Sequence, residues 1–251
     1  MNLIRKACAP ENFRQGRQGF QITAIVVHLI DGSQAGCDAT FASSSLTLRR
    51  SAHYSVGKAG EVHQYVDEAD TAYHAGRILQ PTWPGMKKKA DGAFLNPNLH
   101  TIGVEHEGRA DDEWTDQMYD ASAELLAGIA SRHTLGALAH GTNVAMHREI
   151  FAAKSCPGNK VNLDLLIRKA NGIAPPVPAP PAPGGIALTI LHNVNVRLGT
   201  ASVTAPIKEL LKAGAQVSAA RSLQGDAVNG IDKWYELAAG EFIWAGATDR
   251  P

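Results

Sequence analysis

Residues 172–185 read Gly-Ile-Ala-Pro-Pro-Val-Pro-Ala-Pro-Pro-Ala-Pro-Gly-Gly and hold six of the 13 prolines in this 251-residue chain. Helices and central strands do not accept that density of proline, because each ring removes an N–H donor and fixes φ. The stretch is expected to be a semi-rigid linker of polyproline II character with glycine hinges at its ends. Chain on either side then has to fold separately. The expected division is a larger N-terminal domain over 1–171, a linker over 172–185 and a small C-terminal domain over 186–251.

Charge narrows the partners. The 24 Lys and Arg balance 24 Asp and Glu, which gives no long-range pull toward nucleic acid or an anionic membrane. Apolar runs fall short of the roughly 18–20 residues a membrane helix needs, so no membrane insertion is expected. The first 20 residues alternate charged, polar and small side chains without the apolar centre of a secretory signal. The expectation is synthesis in the cytoplasm and some other exit for any extracellular task. Cys8, Cys37 and Cys156 show no Cys-x-x-Cys spacing. Scattered and odd in number, they do not read as a disulfide framework. A Cys8–Cys37 bridge stays arithmetically open beside the simpler reading of two buried free thiols.

Periodicity supplies the elements. Ile22 to His28 is a β-branched run that reads as a buried strand with His28 at its C-terminal end. Residues 36–50 read as a helix capped near Asp38, and 52–66 as a hairpin around Lys58, Ala59 and Gly60. Residues 77–98 read as a long irregular rim. The run of Lys87, Lys88 and Lys89 in it is a solvated surface, with contact to an anionic polymer as second choice. Residues 101–108 form another β-branched strand, and Glu105 within it would be costly to bury without a partner or a task. Residues 115–133 fit an amphipathic helix through Met118, Leu125, Leu126 and Ile129. Residues 162–169 fit a short closing helix with Leu163, Leu166 and Ile167 inward. Beyond the linker, short apolar segments at 187–191, 194–198, 215–219, 234–237 and 242–245 suit a small all-β barrel. That part carries no cluster of catalytic residue types.

The segment 147–158 concentrates chemistry: His147, Lys154 and Cys156 precede a Pro-Gly turn. Imidazole and thiolate are ligand types zinc prefers, and catalytic zinc sites leave one tetrahedral position open for water. If the strand ending in His28 and the strand carrying Glu105 are neighbours, five groups converge at one sheet edge. A carboxylate there can take a proton from water, and an ammonium can stabilise an oxyanion. Residue types alone thus point to metal-assisted amide or ester hydrolysis.

The ordered series Ile-Val-Val-His28, Ser51-Ala-His-Tyr-Ser-Val-Gly57, Gly60-Glu-Val-His-Gln64, Tyr73-His-Ala-Gly76, Asn96-Pro-Asn-Leu-His-Thr-Ile-Gly-Val-Glu-His-Glu-Gly108 and His147-Arg-Glu-Ile with Lys154-Ser-Cys-Pro-Gly158 resembles the zinc N-acetylmuramoyl-L-alanine amidases. This type-2 family includes phage endolysins, autolysins and the peptidoglycan recognition proteins. The resemblance implies an α/β fold, a central mixed β-sheet flanked by helices, with one Zn2+ per chain on His28, His147 and Cys156. It also implies Glu105 as general base and Lys154 as oxyanion-stabilising group. The implied substrate is peptidoglycan, cut between N-acetylmuramic acid and the L-alanine of the stem peptide. His53, His74 and Asn98 match positions by the groove and are candidates for substrate contact, with hydrogen-bonded support the alternative for the two histidines. Some members carry a catalytic Tyr where this chain has Ala52; the Glu–Lys pair takes its place, and Tyr54 is expected to pack beneath the site. His140 competes with His147 as ligand, and the His-Arg-Glu-Ile context favours His147.

Val194-Asn-Val-Arg-Leu198, Trp234-Tyr235 and Phe242-Ile-Trp244 resemble a bacterial SH3 domain, more loosely, which implies a small wall-binding barrel that tethers the enzyme. Gly199-Thr-Ala stands where Gly-Pro is usual. Two rival expectations remain: a cytoplasmic amidase recycling anhydro-muropeptides, and a recognition protein that binds without cutting. The second usually lacks the Cys ligand, which is present here. Delivery through a holin in phage lysis, or as cargo of an injection machine, fits a chain without a signal; the oligomeric state is not legible.

Overall fold

The computed structural model describes residues 3–44, 48–173, 185–238 and 240–251, so most of the expected linker, 174–184, lies outside the described residues. The chain divides into two compact units, Met1–Pro175 and Pro176–Pro251. In chain order the first holds β1 (Leu3–Arg5), β2 (Phe13–Arg14), β3 (Ala24–Leu29), α1 (Gln34–Ala42), β4 (Tyr54–Val56), β5 (Val62–Gln64), β6 (Thr71–Ala72), β7 (Thr101–His106), α2 (Asp116–Arg132), β8 (Val144–Met146) and α3 (Leu163–Ala170).

Six of these strands form one mixed sheet in the order β1-β5-β4-β7-β3-β8. Only the β4–β5 hairpin is antiparallel; the other four pairings are parallel. The β-branched runs are central because strands covered on both faces gain most from continuous apolar sequence. Side chains alternate across the sheet. Ile25, Val27, Ile102, Val104 and Val56 pack with Met118, Leu125, Leu126 and Ile129 of α2 and Leu166 of α3. On the opposite face Ala24, Val26 and Ala145 pack with Trp83 and Ile150.

Helix α1 starts earlier than expected. Ser33, rather than Asp38, caps it by accepting the Gly36 N–H, and the helix ends at Ala42. Asp38 instead sits within the helix, where its carboxylate accepts from Tyr65 Oη at 2.6 Å and pairs with His63 Nδ1 at 2.8 Å. Helix α2 matches the expected span, with Thr115 accepting the Met118 N–H at its start. Strand β8 was not apparent in the sequence: three residues are too few to show a period.

The second unit is all-β: β9 (Ile186–Thr189), β10 (Val194–Leu198), β11 (Ile207–Leu211), β12 (Gln216–Ala219), β13 (Arg221–Val228), β14 (Ile231–Ala238) and β15 (Glu241–Trp244). A five-stranded antiparallel sheet, β11-β10-β15-β14-β13, accompanies a β9–β12 pair. Leu188, Ile190, Val196, Tyr235 and Ile243 form its core. Among the described residues no helix is long and apolar enough to cross a membrane.

Candidate active site

Register brings the site together. Along β3 and β7, His28 stands opposite Glu105, and along β3 and β8, Val27 stands opposite Met146. The next residue after Met146 is His147. His28 and Glu105 share the face opposite to Ile25, Val27, Ile102 and Val104, at the carboxyl ends of their strands, where open α/β sheets build their clefts. A slip of one residue in either strand would send one of the two to the far face.

Cys156 arrives from a folded-back loop. The Arg148 N–H donates to the Cys156 carbonyl at 3.0 Å, and the Arg148 guanidinium donates to the Gly158 carbonyl at 2.9 Å. Gly158 has φ +117°, and a Cβ there would press on the Ala110 carbonyl, so the Pro-Gly turn requires glycine. The ligating atoms of His28, His147 and Cys156 then lie within 4.8 Å of one another. His28 Nδ1 is 3.8 Å from Cys156 Sγ. A tetrahedral ion with Zn–N near 2.0 and Zn–S near 2.3 Å sets such a pair about 3.5 Å apart. Two imidazoles and one thiol suit zinc, and their spacing fits it with small adjustment.

Electrostatics agree with a cation site. Burial, then the neighbouring His147 and His74, holds His28 well below its ordinary value. Burial, then Lys154, lowers His147 to about 4. Both rings are therefore neutral and free to ligate at pH 7. Burial, then Glu105, pushes the Cys156 thiol up in the metal-free chain, while the Leu29 N–H donates to Sγ at 3.0 Å. A bound cation would reverse that preference, since coordination deprotonates a thiol. Glu105 is similar: burial raises it to about 8, against Lys154. Its Oε1 is 4.0 Å from His28 Nδ1, and its Oε2 is buried without a hydrogen-bond partner among the described residues. A buried polar atom left orphaned calls for a missing ion, water or ligand.

These groups open on a cleft of about 430 Å3 that Lys154 and His74 also line. Arg50 and Tyr73 line it too; the sequence assigned neither a role, although Tyr73 opens the Tyr73-His-Ala-Gly76 motif. His53 and Asn98, the other two candidates for substrate contact, are buried. They are 0% and 3% exposed and lie beneath the cleft rather than on it. His53 Nδ1 accepts the Gly103 N–H at 3.0 Å, and Asn98 Oδ1 accepts the His74 and Ala75 N–H groups at 3.2 and 2.7 Å. Tyr54 packs in the core on the α2 side of the sheet, and its hydroxyl donates to Glu68 Oε1 at 2.8 Å. Period-two alternation puts Ser55 on the site's face instead. His140 pairs with Glu149 Oε1 at 2.8 Å and stays outside the donor cluster.

With this geometry in place, comparison with known proteins is decisive. The family profile described as N-acetylmuramoyl-L-alanine amidase matches residues 18–159, more than half of the chain. The chain belongs to this amidase family. N-acetylmuramoyl-L-alanine amidase A of Achromobacter lyticus is 35% identical over 115 residues, covering 45% of this chain and 53% of that protein. The chain thus spans about half the length of that curated relative. Among solved structures, a selenomethionine derivative of AmpD superposes with a TM-score of 0.53 at 23% identity, over 66% of this chain and 93% of that one. The likeness to AmpD shows a shared amidase fold.

Proposed function

We propose that this member of the amidase family is a zinc hydrolase of peptidoglycan, cutting the amide between N-acetylmuramic acid and the L-alanine of the stem peptide. The observation that carries the reading is the convergence of His28, His147 and Cys156 with the orphaned Glu105 Oε2. Family membership and the name of the Achromobacter relative support it.

His28, His147 and Cys156 would hold the ion, which when bound supplies Lewis-acid polarisation of water and of the scissile carbonyl. Glu105 Oε2 accepts the proton of the attacking water and returns it to the leaving amine. Lys154, at the cleft, places its ammonium beside the oxyanion that develops on the carbonyl. His74 lines the floor between these groups and the β7 backbone. The second unit reads as an SH3-like barrel that tethers the enzyme to the wall and raises its local concentration there.

The test is product chemistry. Intact sacculi incubated with the full chain should gain free L-alanine amino termini and no new reducing sugars, and a chelator should stop the release. New reducing ends would make it a glycosidase and contradict the proposal. A parallel incubation with soluble muropeptides separates a wall-directed enzyme from a recycling one by which substrate is cut faster.

A further inference from the structure

His74 and Thr101 have no place in the reaction just described, yet they are joined to it by hydrogen bonds whose direction can be worked out. Thr101 is fully buried, and its hydroxyl lies 2.8 Å from the Pro97 carbonyl. A carbonyl only accepts, so the single hydroxyl proton is committed to it. Thr101 Oγ1 is also 3.3 Å from His74 Nε2. With its proton already used, the oxygen can only accept there, so His74 Nε2 carries the hydrogen. His74 Nδ1 is then a bare lone pair 3.0 Å from His28 Nε2. It accepts from His28, which leaves His28 Nδ1 without a proton, facing Cys156 Sγ at 3.8 Å and Glu105 Oε1 at 4.0 Å.

The seat of His74 is built for this. Gly103 stands beneath the ring, and any Cβ at that position would collide with it. Asn98 Oδ1 holds the His74 backbone from the other side. The Pro97 carbonyl that anchors the chain of bonds belongs to the turn Pro97–Leu99, directly before β7.

We propose that Thr101 and His74 are positioning residues that set the His28 tautomer, keeping Nδ1 bare and aimed at the donor cluster before any ion arrives. The benefit to zinc binding rests on the reading of His28 as a ligand; the tautomer itself does not. Partners of this kind fix ring orientation and ligand basicity in metal sites.

Long-range proton–nitrogen correlation spectra of the metal-free full chain, labelled with 15N histidine, test it directly. His28 and His74 should both be protonated at Nε2. A proton on His28 Nδ1 would overturn the proposal, and this wild-type spectrum decides even where a variant folds poorly. Thr101→Val keeps the side-chain shape and removes the hydroxyl; it should give mixed tautomers at both rings. Competition with a chromophoric chelator should show zinc affinity lower by roughly 10–100-fold, with Thr101→Ser restoring both signals. Wild-type tautomers in Thr101→Val would also overturn it. Failure to release stem peptides, with the tautomers as stated, would count against the amidase reading and leave the relay standing.

Discussion

At the scale of single residues, the proposed reaction separates groups that would hold the ion from groups that would react. Glu105 is 16% exposed at its side chain, and its Oε2 has no hydrogen-bond partner among the described residues. Glu105→Gln should therefore leave zinc affinity within a few-fold and lower the hydrolysis rate by about 10²–10⁴. Lys154 is exposed on its loop, so Lys154→Ala should fold and bind metal normally while losing about 10²–10³ in rate. Loss of metal by either variant, read by elemental analysis beside the rate, would move that residue from the reaction to the architecture. What the sequence made legible follows the same division. The ligand candidates stood out through the ordered motifs shared with the amidases rather than through residue type alone. For His53 and Asn98 the sequence did not choose between substrate contact and support, because a polar side chain looks alike whether it meets a substrate or buried N–H groups such as those of Gly103 and Ala75.

At the scale of elements, two devices hold the frame. Arg148 ties the loop carrying Cys156 back onto the turn carrying His147. Arg148→Met should cost about 10–100-fold in zinc affinity by loosening that return, measurable by chelator competition. The second device is Glu68, which receives Arg132 Nη2 at 2.6 Å, His133 Nε2 at 2.7 Å and the Tyr54 hydroxyl at 2.8 Å. Burial would raise this carboxyl, but the hydrogen bonds from Arg132, Tyr54 and His133 win and lower it. Its folded value lies below its unfolded one, so its contribution is complete above the ordinary Glu range near 4.5. It is lost as pH falls through the folded value. Glu68→Gln should cost about 1–3 kcal/mol near pH 7, and the gap from wild type should close as denaturation is repeated toward pH 3. An equal gap at every pH would show packing rather than charge at work. The long elements were legible because they repeat: the strand of Ile25 and Val27, and the helix of Leu125 and Ile129. Strand β8 and the start of α1 were not. Three residues carry no period, and either Ser33 or Asp38 is an acceptable cap until tertiary contacts choose between them.

At the scale of the molecule, the two units have separate apolar cores, and the proposed metal belongs wholly to the first. Calorimetry should then show one transition that moves with metal and one that does not. Free zinc at about 1,000 times its dissociation constant stabilises the first unit by about 4 kcal/mol, and a chelator should remove that increment without shifting the second. A single transition, or a shift in both, would contradict independent units. The proline-rich stretch is what led the sequence reading to expect two domains. The order of strands in the sheet was not readable, because parallel partners such as β3 and β7 lie far apart along the chain. The central claim is that His28, His147 and Cys156 hold the ion on which amide hydrolysis depends. Zinc content and stem-peptide release, measured on the same preparations of wild type and Cys156→Ser, test it most directly. One zinc per chain with activity in the first, and loss of both in the second, is the predicted result. Stem-peptide release by a zinc-free chain would contradict it.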